Sequence, residues 1–431
     1  MAKYALEGCS CGTPHECAIE HILIEKGALK KIPGLLQEAK AGKPFLVMDP
    51  NTYEAAGKRL MDILRTAHID FSSYTYPSGD VQPDELALGR VALHFDPSCD
   101  FIIAIGTGVI NDISKMLARN SSRRFMIVAT APSMDGFASP TSSMDAEGLK
   151  VSLESALAWA IIGDLDILAA APMHMLLAGF GDMLAKYVSV CEWRISHLIT
   201  GEYYCEQVAQ VTRSALVVCV ASAPLLKNRD EQAVANVMQG LVTSGIAMAY
   251  AGTSRPASGM EHYISHLIDM RHLAFHSNHD LHGTQVAVGT LISLKLYEKL
   301  KHLYIDRQKA IDKVSSFDVE AHLEKLHEFV GRSAESMANL EKQDKKYDVD
   351  KHAKRLDHII RNWERILTII NDELPSYQSI YSLMQDLGMP TTLEEVGMAN
   401  DLEQQALAFT MDIRDKYIAS RLLWDIGELE Y

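Results

Sequence analysis

The segment Asp100–Asn120, DFIIAIGTGVINDISKMLARN, determines the fold assignment. It begins with an apolar run, Phe101–Gly106, which is typical of a buried strand. A glycine-rich turn follows at once and leads into a helical pattern. This order presents backbone N–H groups and a helix N-terminus to a phosphate. The spacing falls short of the full GxGxxG fingerprint, so a plain strand-to-helix turn stays an alternative reading of this segment taken alone.

Similar apolar runs recur on both sides of this segment and are separated by helical patterns. They lie near residues 18–29, 44–49, 70–76, 124–130 and 157–164. Strands that alternate with helices over residues 1–165 predict a doubly wound parallel sheet. From His174 onward the pattern is mostly helical. We therefore predict an α/β dinucleotide-binding domain over residues 1–170 and an all-α domain over residues 171–431.

Two polar features follow predicted strands at their carboxyl ends. Asp49 ends the strand that begins at Pro44, and the loop Thr130–Pro140, TAPSMDGFASP, leaves the strand at 124–130. Ligands of open α/β sheets bind at this edge, so both features are candidates for a cofactor or substrate site. Ser133 and Asp135 are equally suited to capping a turn.

Histidines are concentrated in the segment Gly252–Gly289. His262 and His266 are four residues apart, which places both rings on one face of a helix. His282 is followed by Gly283, which lets backbone and ligand approach closely. A crowd of histidines alone is a weak metal signal, since a metal usually needs a carboxylate as well. Asp182, four residues before Lys186 on a predicted helix, is the candidate, with a helix-dipole role as its alternative.

Composition narrows the classes of function. The chain has 431 residues, of which 48% are hydrophobic and 23% are charged, which is ordinary for a soluble globular protein. A formal net charge of −15 disfavours nucleic acid and anionic membranes as partners. The N-terminal residues MAKYALEG contain no apolar signal-peptide core, and we expect no membrane insertion. We expect a cytoplasmic protein with seven reduced cysteines.

One cysteine group stands apart from the rest. Cys9, Cys11, His15 and Cys17 lie within nine residues, a composition that suits zinc. Their spacing matches no finger or ribbon pattern, so a turn with thiols is the preferred interpretation. The basic stretch Lys342–Lys354 is interpreted as a solvated helix face or hinge.

Five motifs in order carry a family resemblance: IGTGVINDI, TAPSMDGFAS, AGFGDMLAK, SRPASGMEHYISH and LHGTQVAVG. Together they resemble the iron-containing alcohol dehydrogenase and dehydroquinate synthase-like superfamily. More narrowly, they resemble the sn-glycerol-1-phosphate dehydrogenase family, including its bacterial branch. The resemblance covers nearly the whole chain. It implies a dinucleotide-binding domain followed by a helical domain, with the site in the cleft between them.

The resemblance also implies site residues. Its metal ligands correspond to Asp182, His262 and His282, and His266 completes the catalytic set. Its substrate contacts correspond to Asp135, Ser139, Asp182 and His266. Its cofactor contacts correspond to Asp49, Gly106, Gly108, Val109, Ile110, Asn111, Asp112, Thr130, Ala131, Pro132, Ser133 and Ser139.

The expected reaction is metal-dependent hydride transfer between NAD(P)H and dihydroxyacetone phosphate, giving sn-glycerol 1-phosphate for phospholipid metabolism. Asp49 would repel a 2′-phosphate and therefore favours NAD over NADP. Zinc is the expected metal, with nickel or ferrous iron as alternatives. The substrate phosphate has three candidate donors: Lys186, Arg255 and His266. The resemblance also implies a homodimer or larger homo-oligomer.

Three alternative functions stay open at this point. The first is a dehydroquinate synthase-like cyclase, whose first metal ligand is typically glutamate where this chain has Asp182. The second is a polyol dehydrogenase of the glycerol type, acting on an unphosphorylated substrate. The third is a non-catalytic nucleotide-binding relative, which the complete set of matching ligands disfavours.

Overall fold

The computed structural model describes residues 4–147 and 149–430. The chain forms two compact units, each built from two separate segments. The first unit comprises Met1–Met183 and Gln210–Thr253, and the second comprises Leu184–Ala209 and Ser254–Tyr431. The domain boundary between residues 170 and 171 stays a prediction, since the first compact unit takes residues from both sides of it.

The strands of the described residues all lie in the first unit. Among the described residues they are, in chain order, β1 Tyr4–Ala5, β2 Glu16–Cys17, β3 His21–Glu25, β4 Pro44–Met48, β5 Ser72–Thr75, β6 Phe101–Gly106, β7 Arg124–Ala129, β8 Thr141–Ala146, β9 Leu149–Glu154 and β10 Ala160–Asp164. Six of them form one sheet in the order β3-β10-β7-β6-β4-β5, and every neighbouring pair in it is parallel. The predicted doubly wound parallel sheet is therefore confirmed.

The apolar runs form these strands because the central strands of a parallel sheet are covered on both faces. All residues of β4, β6 and β10 are buried. Their side chains join the core beneath α1 Ile32–Glu38, and they include Leu46, Ile103 and Ile162. The predicted runs at 44–49 and 100–106 thus owe their continuous hydrophobicity to burial on both sides.

The strand order reverses between β4 and β6. The chain places β5 on one side of β4, then crosses over to β6 and continues outward through β7 and β10. A crevice opens at such a switch point, outside the carboxyl ends of the strands, where ligands of doubly wound folds bind. Asp49 follows β4 and Thr107 follows β6, so both residues lie at this reversal.

The helices of the first 253 residues are, in chain order, α1 Ile32–Glu38, α2 Pro50–Thr52, α3 Lys58–Thr66, α4 Glu85–His94, α5 Gly108–Ser121, α6 Leu165–Leu168, α7 Met173–Leu184, α8 Lys186–Thr200, α9 Glu206–Ser222 and α10 Glu231–Ala251. A π-helical turn, Tyr53–Gly57, joins α2 to α3. The chain is therefore helical from Pro50 to Thr66.

The remainder of the chain is helical, as predicted. Its helices are α11 Met260–Phe275, α12 His282–Leu300, α13 Arg307–Ser315, α14 Val319–Val330, α15 Ser333–Asp344, α16 Val349–Arg361, α17 Trp363–Glu373, α18 Tyr377–Leu387, α19 Glu403–Phe409 and α20 Ala419–Asp425. In the second unit α11 and α12 pack against each other, and Gly289 permits their close crossing. A Cβ atom at Gly289 would lie 2.5 Å from the carbonyl oxygen of Glu261.

The sequence analysis missed one hairpin. Strands β8 and β9 pair antiparallel from Thr141↔Glu154 to Ala146↔Leu149. No element was predicted between the polar loop that ends at Pro140 and the strand near residues 157–164. The alternation of polar and apolar residues from Lys150 to Glu154 is the signal that could have identified it.

One helical stretch bears on the expectation that the chain does not insert into a membrane. Within the described part of the chain, Glu206–Asn228 is long and apolar enough to cross a membrane by length and composition. The observation is weak evidence for a span, because core helices of soluble proteins pass the same test.

The contact between β6 and α5 generates a test of the fold. A Cβ atom at Gly106 would lie 2.7 Å from Cβ of Ile110, so Gly106→Ala forces the helix away from the strand. We expect a loss of about 1–3 kcal/mol in the free energy of unfolding, measured by urea denaturation.

The matched control is Gly34→Ala in α1, where a Cβ atom meets nothing within 4 Å. Its free energy of unfolding should stay equal or rise by up to about 1 kcal/mol, because alanine favours a helix more than glycine does. Equal stability of the two variants would contradict the close β6–α5 packing.

Candidate active site

The N-terminus of α5 presents backbone donors that its own cap residue does not use. Thr107 at the N-cap makes no side-chain capping hydrogen bond, whereas Asp49, Asp84 and Asp164 cap α2, α4 and α6. The hydroxyl of Thr107 is instead hydrogen-bonded to the hydroxyl of Ser133. The first N–H groups of a helix without a side-chain cap can bind the oxygens of a phosphate.

Asp49 is held firmly at the end of β4. Its Oδ1 accepts the backbone N–H of Thr52 at 2.8 Å, and the Thr52 hydroxyl accepts the backbone N–H of Asp49 at 2.9 Å. This reciprocal pair is a capping box. The carboxylate therefore has a structural role in α2 and can also face a ligand at the switch point.

Lys115 ties α5 to the loop that contains Ser139. It is fully buried, and its Nζ donates to the carbonyls of Gly136 at 2.7 Å and Thr141 at 2.9 Å. Burial lowers the pKa of Lys115, and the nearby carboxylate of Asp112 opposes that shift. The sequence analysis missed this residue, because a lysine in a helical pattern is usually exposed.

Asp182 anchors the loop that follows β7. It is completely buried on α7, and its Oδ2 accepts the backbone N–H of Asp135 at 2.9 Å. The Oδ2 atom of Asp135 in turn accepts the Ser244 hydroxyl of α10 at 2.8 Å. The structure thus brings Asp182 and Asp135 together, whereas the dipole alternative predicted only an acid in the first turn of a helix.

Two glycines allow this loop to pack between α7 and α10. A Cβ atom at Gly179 would overlap the carbonyl oxygen of Pro132. A Cβ atom at Gly245 would lie 2.7 Å from Cβ of Ala138. The loop therefore touches helix backbone on both sides, which holds Ser133 and Ser139 in fixed positions.

Three histidines of the second unit form a cluster at the ends of α11 and α12. The ring centroids of His262 and His282 are 5.2 Å apart, and those of His266 and His282 are 6.3 Å apart. His262 is buried, while His266 and His282 are half-buried. The structure therefore brings together the three imidazoles that the sequence analysis selected. Of the other histidines nearby, His276 ends α11 in the left-handed conformation.

A chain of hydrogen bonds determines which nitrogen of His282 carries the proton. Gln285 Nε2 donates to Asp269 Oδ1 at 3.1 Å, so Gln285 Oε1 accepts the Ser265 hydroxyl at 2.6 Å. The Ser265 oxygen must then accept from Nδ1–H of His282, at 3.0 Å. The lone pair of the neutral ring is consequently on Nε2, as in a metal-binding histidine with a second hydrogen-bonded partner.

His262 has the same tautomer through a different partner. Its Nδ1 lies 2.8 Å from Glu261 Oε1, and that oxygen also accepts the Gly259 N–H at 2.6 Å. An ionised Glu261 can only accept, so Nδ1 then carries the proton. Burial, followed by the charge of Lys186, holds the pKa of His262 well below its usual range. The ring is therefore neutral near pH 7 and carries its lone pair on Nε2, which is the form that binds metals.

A pair of buried carboxyl groups lies beneath this cluster. Burial raises the pKa of Glu192 to about 7, and burial together with the charge of Glu192 raises that of Glu261 to about 8. Glu192 accepts the N–H groups of Met260 and Ala419, each at 2.9 Å. It thereby fixes the first residue of α11, two positions before His262.

The candidate phosphate donors differ in their surroundings. The guanidinium of buried Arg255 binds both carboxylate oxygens of Glu202, at 2.7 and 2.6 Å, and the carbonyl of Tyr417 at 3.0 Å. Arg255 is thus committed to a structural network and is disfavoured as a phosphate ligand. Buried Lys186 donates to the carbonyl of Ala257 at 3.0 Å.

Sequence reasoning missed the groups that orient the candidate ligands. No role was predicted from the sequence for Ser265, Asp269, Gln285, Ser244 or Glu192. A glutamine three residues after His282 is the one local signal that could have suggested a partner for its ring.

The raised pKa of Glu192 predicts a pH-dependent stability. Between about pH 4.5 and pH 7 this carboxyl is protonated when folded and ionised when unfolded, so its contribution to stability is lost as the pH rises through that window. Glu192→Gln should remove the loss. The difference in free energy of unfolding between the variant and the natural chain should therefore rise, in favour of the variant, by on the order of 1–3 kcal/mol from pH 5 to pH 8.

Urea denaturation of the metal-free protein at several pH values measures this gain. The exposed Glu364, replaced by glutamine, serves as the control and should follow the natural chain at every pH. Parallel curves for Glu192→Gln and the natural chain would show that Glu192 is ionised in the folded state.

Known proteins resemble this chain over most of its length. The family model of iron-containing alcohol dehydrogenases matches residues 23–172. A glycerol-1-phosphate dehydrogenase [NAD(P)+] of Halalkalibacterium halodurans is 28% identical over 420 residues, which cover 96% of this chain and 95% of the relative. One of Bacillus subtilis is 32% identical and covers 82% of this chain and 91% of the relative. The crystal structure of glycerol dehydrogenase from Schizosaccharomyces pombe shares the fold, with a TM-score of 0.61 at 16% identity, over 95% of this chain and 89% of that chain.

These matches confirm the resemblance inferred from the five motifs. The relative from Bacillus subtilis is similar enough, over enough of its length, to establish the family. The chain belongs to the glycerol-1-phosphate dehydrogenase family of NAD(P)-linked oxidoreductases, within the iron-containing alcohol dehydrogenases.

Proposed function

We propose that this chain catalyses reversible hydride transfer between NAD(P)H and dihydroxyacetone phosphate, giving sn-glycerol 1-phosphate, with a divalent cation held by Asp182, His262 and His282. Family membership supports the reaction. The observation that supports the metal proposal is that Nδ1 of each imidazole is hydrogen-bonded to a protein oxygen, which leaves Nε2 for the cation. That arrangement suits a metal ligand better than a solvated histidine.

The donor set fits a catalytic cation. Two neutral imidazoles and one carboxylate leave a coordination position for substrate, and zinc is the expected metal, with nickel or ferrous iron as alternatives. When bound, the cation supplies Lewis acidity to the C2 oxygen of the substrate, and the nicotinamide gives or accepts the hydride. Asp182 fits the role because its Oδ2 is already oriented by the Asp135 amide.

Residues at the switch point of the sheet would bind the nucleotide. The N–H groups of Gly108, Val109 and Ile110 begin α5 and suit the pyrophosphate. Ile110 also packs against Gly106, and Asn111 Nδ2 donates to the carbonyl of Gly136 at 3.2 Å. These contacts hold the turn in place. The Asp49 carboxylate would accept a ribose hydroxyl.

The loop after β7 would complete the nucleotide site. Thr130 N–H donates to the Gly106 carbonyl at 3.0 Å, which aligns this loop with the glycine-rich turn. The buried loop residues Ala131, Pro132 and Ser133 continue along the same edge of the sheet. Ser139, whose hydroxyl lies 2.9 Å from that of Thr141, would contact both nicotinamide and substrate.

His266 would handle the proton at the substrate C2 oxygen. Reduction of the ketone requires a hydride at C2 and a proton at its oxygen, and oxidation reverses both. His266 lies one helical turn after His262, and its ring stacks near that of His282. Imidazole is suited to proton transfer near neutral pH. Asp135 would accept a substrate hydroxyl, and Lys186 or His266 would bind the phosphate.

We further propose that the enzyme works in the cytoplasm as a homodimer or larger homo-oligomer and supplies phospholipid synthesis. A glycerol-type polyol dehydrogenase and a dehydroquinate synthase-like cyclase remain the competing functions on this fold. The aspartate at position 182 disfavours the cyclase, whose first ligand is typically glutamate.

A steady-state assay tests the function and the ligands together. After metal removal and addition of Zn²⁺, Ni²⁺ or Fe²⁺, NADH oxidation should be at least about 100-fold more efficient with dihydroxyacetone phosphate than with dihydroxyacetone, since a charged phosphate adds several kcal/mol of binding. Asp182→Asn and His262→Ala should each lower kcat/KM by about 100-fold or more and lose the catalytic metal.

His276→Ala is the control for the histidine change, because His276 ends α11 outside the proposed ligand set. It should keep the metal and the activity of the natural chain. Normal turnover with stoichiometric metal in both ligand variants would eliminate Asp182 and His262 as ligands. Equal efficiency with the unphosphorylated ketone would favour the polyol dehydrogenase.

The preference between the two nicotinamide cofactors depends on the charge of Asp49. Asp49→Asn keeps an amide oxygen that can accept the Thr52 N–H, but it removes the negative charge that repels a 2′-phosphate. The ratio of kcat/KM for NADPH to that for NADH should rise by about 10-fold, measured by steady-state kinetics.

Asp84→Asn at the N-cap of α4 provides the same chemical change at another helix and should leave the ratio unaltered. An unchanged ratio in Asp49→Asn would place the cofactor ribose away from this carboxylate.

A further inference from the structure

The N-terminal hairpin of the first unit contains a cluster of sulfur and nitrogen atoms that the proposed reaction does not use. Strands β1 and β2 pair through Tyr4↔Cys17 and Ala5↔Glu16, and the Leu6 N–H donates to the carbonyl of His15 at 3.0 Å. The loop between the strands contains Cys9, Cys11 and His15. The hairpin therefore closes this loop and brings the three side chains to one place.

The three ligand atoms are close together. Sγ of Cys9, Sγ of Cys11 and a ring nitrogen of His15 lie within 4.8 Å of one another, and Cys11 Sγ is 3.2 Å from His15 Nε2. In a tetrahedral zinc site, sulfur atoms are about 3.8 Å apart and sulfur and nitrogen about 3.6 Å apart. Ångström-scale adjustments in a surface loop would therefore complete the geometry.

His15 has the tautomer of a metal ligand. Its Nδ1 lies 2.8 Å from the carbonyl oxygen of Tyr250, which can only accept, so this nitrogen carries the proton. Nε2 then has the lone pair, and it is the nitrogen that faces Cys11. Tyr250 lies in the last turn of α10, where carbonyls lack helical partners and the dipole favours positive charge. The ring is buried and held in this orientation.

The loop backbone also suits thiolate ligands. Gly8 and Gly12 have φ angles of +75° and +84°, a conformation that other residues rarely adopt, and they flank the two cysteines. The Thr13 N–H points to Cys11 Sγ at 3.5 Å. An N–H group directed at sulfur stabilises the thiolate rather than the thiol.

We propose that Cys9, Cys11 and His15 bind a zinc ion that is separate from the catalytic cation and fastens the N-terminal hairpin to the end of α10. Two thiolates and an imidazole are a ligand set that selects Zn²⁺ over harder cations. A further thiolate or a water molecule completes the coordination. The sequence spacing alone disfavoured this site, because Cys-x-Cys is narrower than the cysteine pairs of zinc fingers.

Cobalt substitution of the whole protein tests the proposal. Metal-free enzyme loaded with Co²⁺ should develop the near-ultraviolet sulfur-to-cobalt charge-transfer band, and addition of Zn²⁺ should abolish it. The proposed Asp182, His262 and His282 set contains no sulfur, so the band reports on the thiolate site alone. The readout is independent of activity and of whether the proposed function is correct.

Variants assign the site to its residues. Cys9→Ser/Cys11→Ser and His15→Asn should weaken or abolish the band, and the double variant should lose about one equivalent of zinc per chain. Cys99→Ser removes a thiol elsewhere in the first unit and should retain both the sulfur-to-cobalt band and the full zinc content. In the natural chain, Cys9 and Cys11 should react with a maleimide only after a chelator is added, as mass spectrometry of the digested protein would detect.

Three results would overturn the proposal. The first is metal-loaded natural chain without the sulfur-to-cobalt band. The second is a band that persists in the double variant. The third is a mass two hydrogens below that of the reduced chain, found in protein purified under inert gas, with Cys9 and Cys11 joined. That result would identify a redox-active disulfide instead of a zinc site. If a variant does not fold, the cobalt spectrum and the maleimide reaction of the natural chain still show whether Cys9 and Cys11 bind a metal.

Discussion

The hydrogen bond from the Asp135 amide to the buried Asp182 carboxylate is the contact on which the functional edge of the first unit depends. A buried carboxylate is costly unless its oxygens are bound, so Asp182 must have partners, and the loop after β7 supplies one. The contact is possible because Gly179 lets α7 touch the carbonyl of Pro132. The same loop carries Thr130, which bonds the glycine-rich turn. The Asp182 carboxylate thereby helps to hold both the loop after β7 and the glycine-rich turn after β6.

In the second unit, hydrogen bonds orient the candidate imidazole ligands and determine which ring nitrogen carries the proton. A neutral ring can bind a cation only through the nitrogen that lacks a proton, so the proton must be kept on the other nitrogen. Glu261 does this for His262, and the series Asp269, Gln285 and Ser265 does it for His282. The two helices can approach closely enough for the second series because Gly289 has no side chain. The tautomer of His282 therefore depends on the close packing of α11 against α12.

Sequence reasoning succeeded where a pattern has one physical cause. The continuous apolar run of β6 follows from burial on two faces, and the four-residue spacing of His262 and His266 follows from helix geometry. It failed where the cause is tertiary. Nothing local distinguishes Lys115 from an exposed helix lysine, because its burial depends on carbonyls of Gly136 and Thr141 beyond β7. The partners of His282 are similarly invisible, since Ser265 precedes it by seventeen residues and lies on another helix.

The two proposed metal sites differ in their ligand chemistry. A cation activates a ketone through its positive charge, and one carboxylate with two neutral imidazoles cancels about one unit of that charge. Two thiolates cancel the formal charge of Zn²⁺ and bind it tightly, but two cysteines, one histidine and an open position also occur at catalytic zinc sites. The structural role proposed for the zinc at Cys9, Cys11 and His15 therefore rests on the position of this loop, which the β1–β2 hairpin closes against the end of α10.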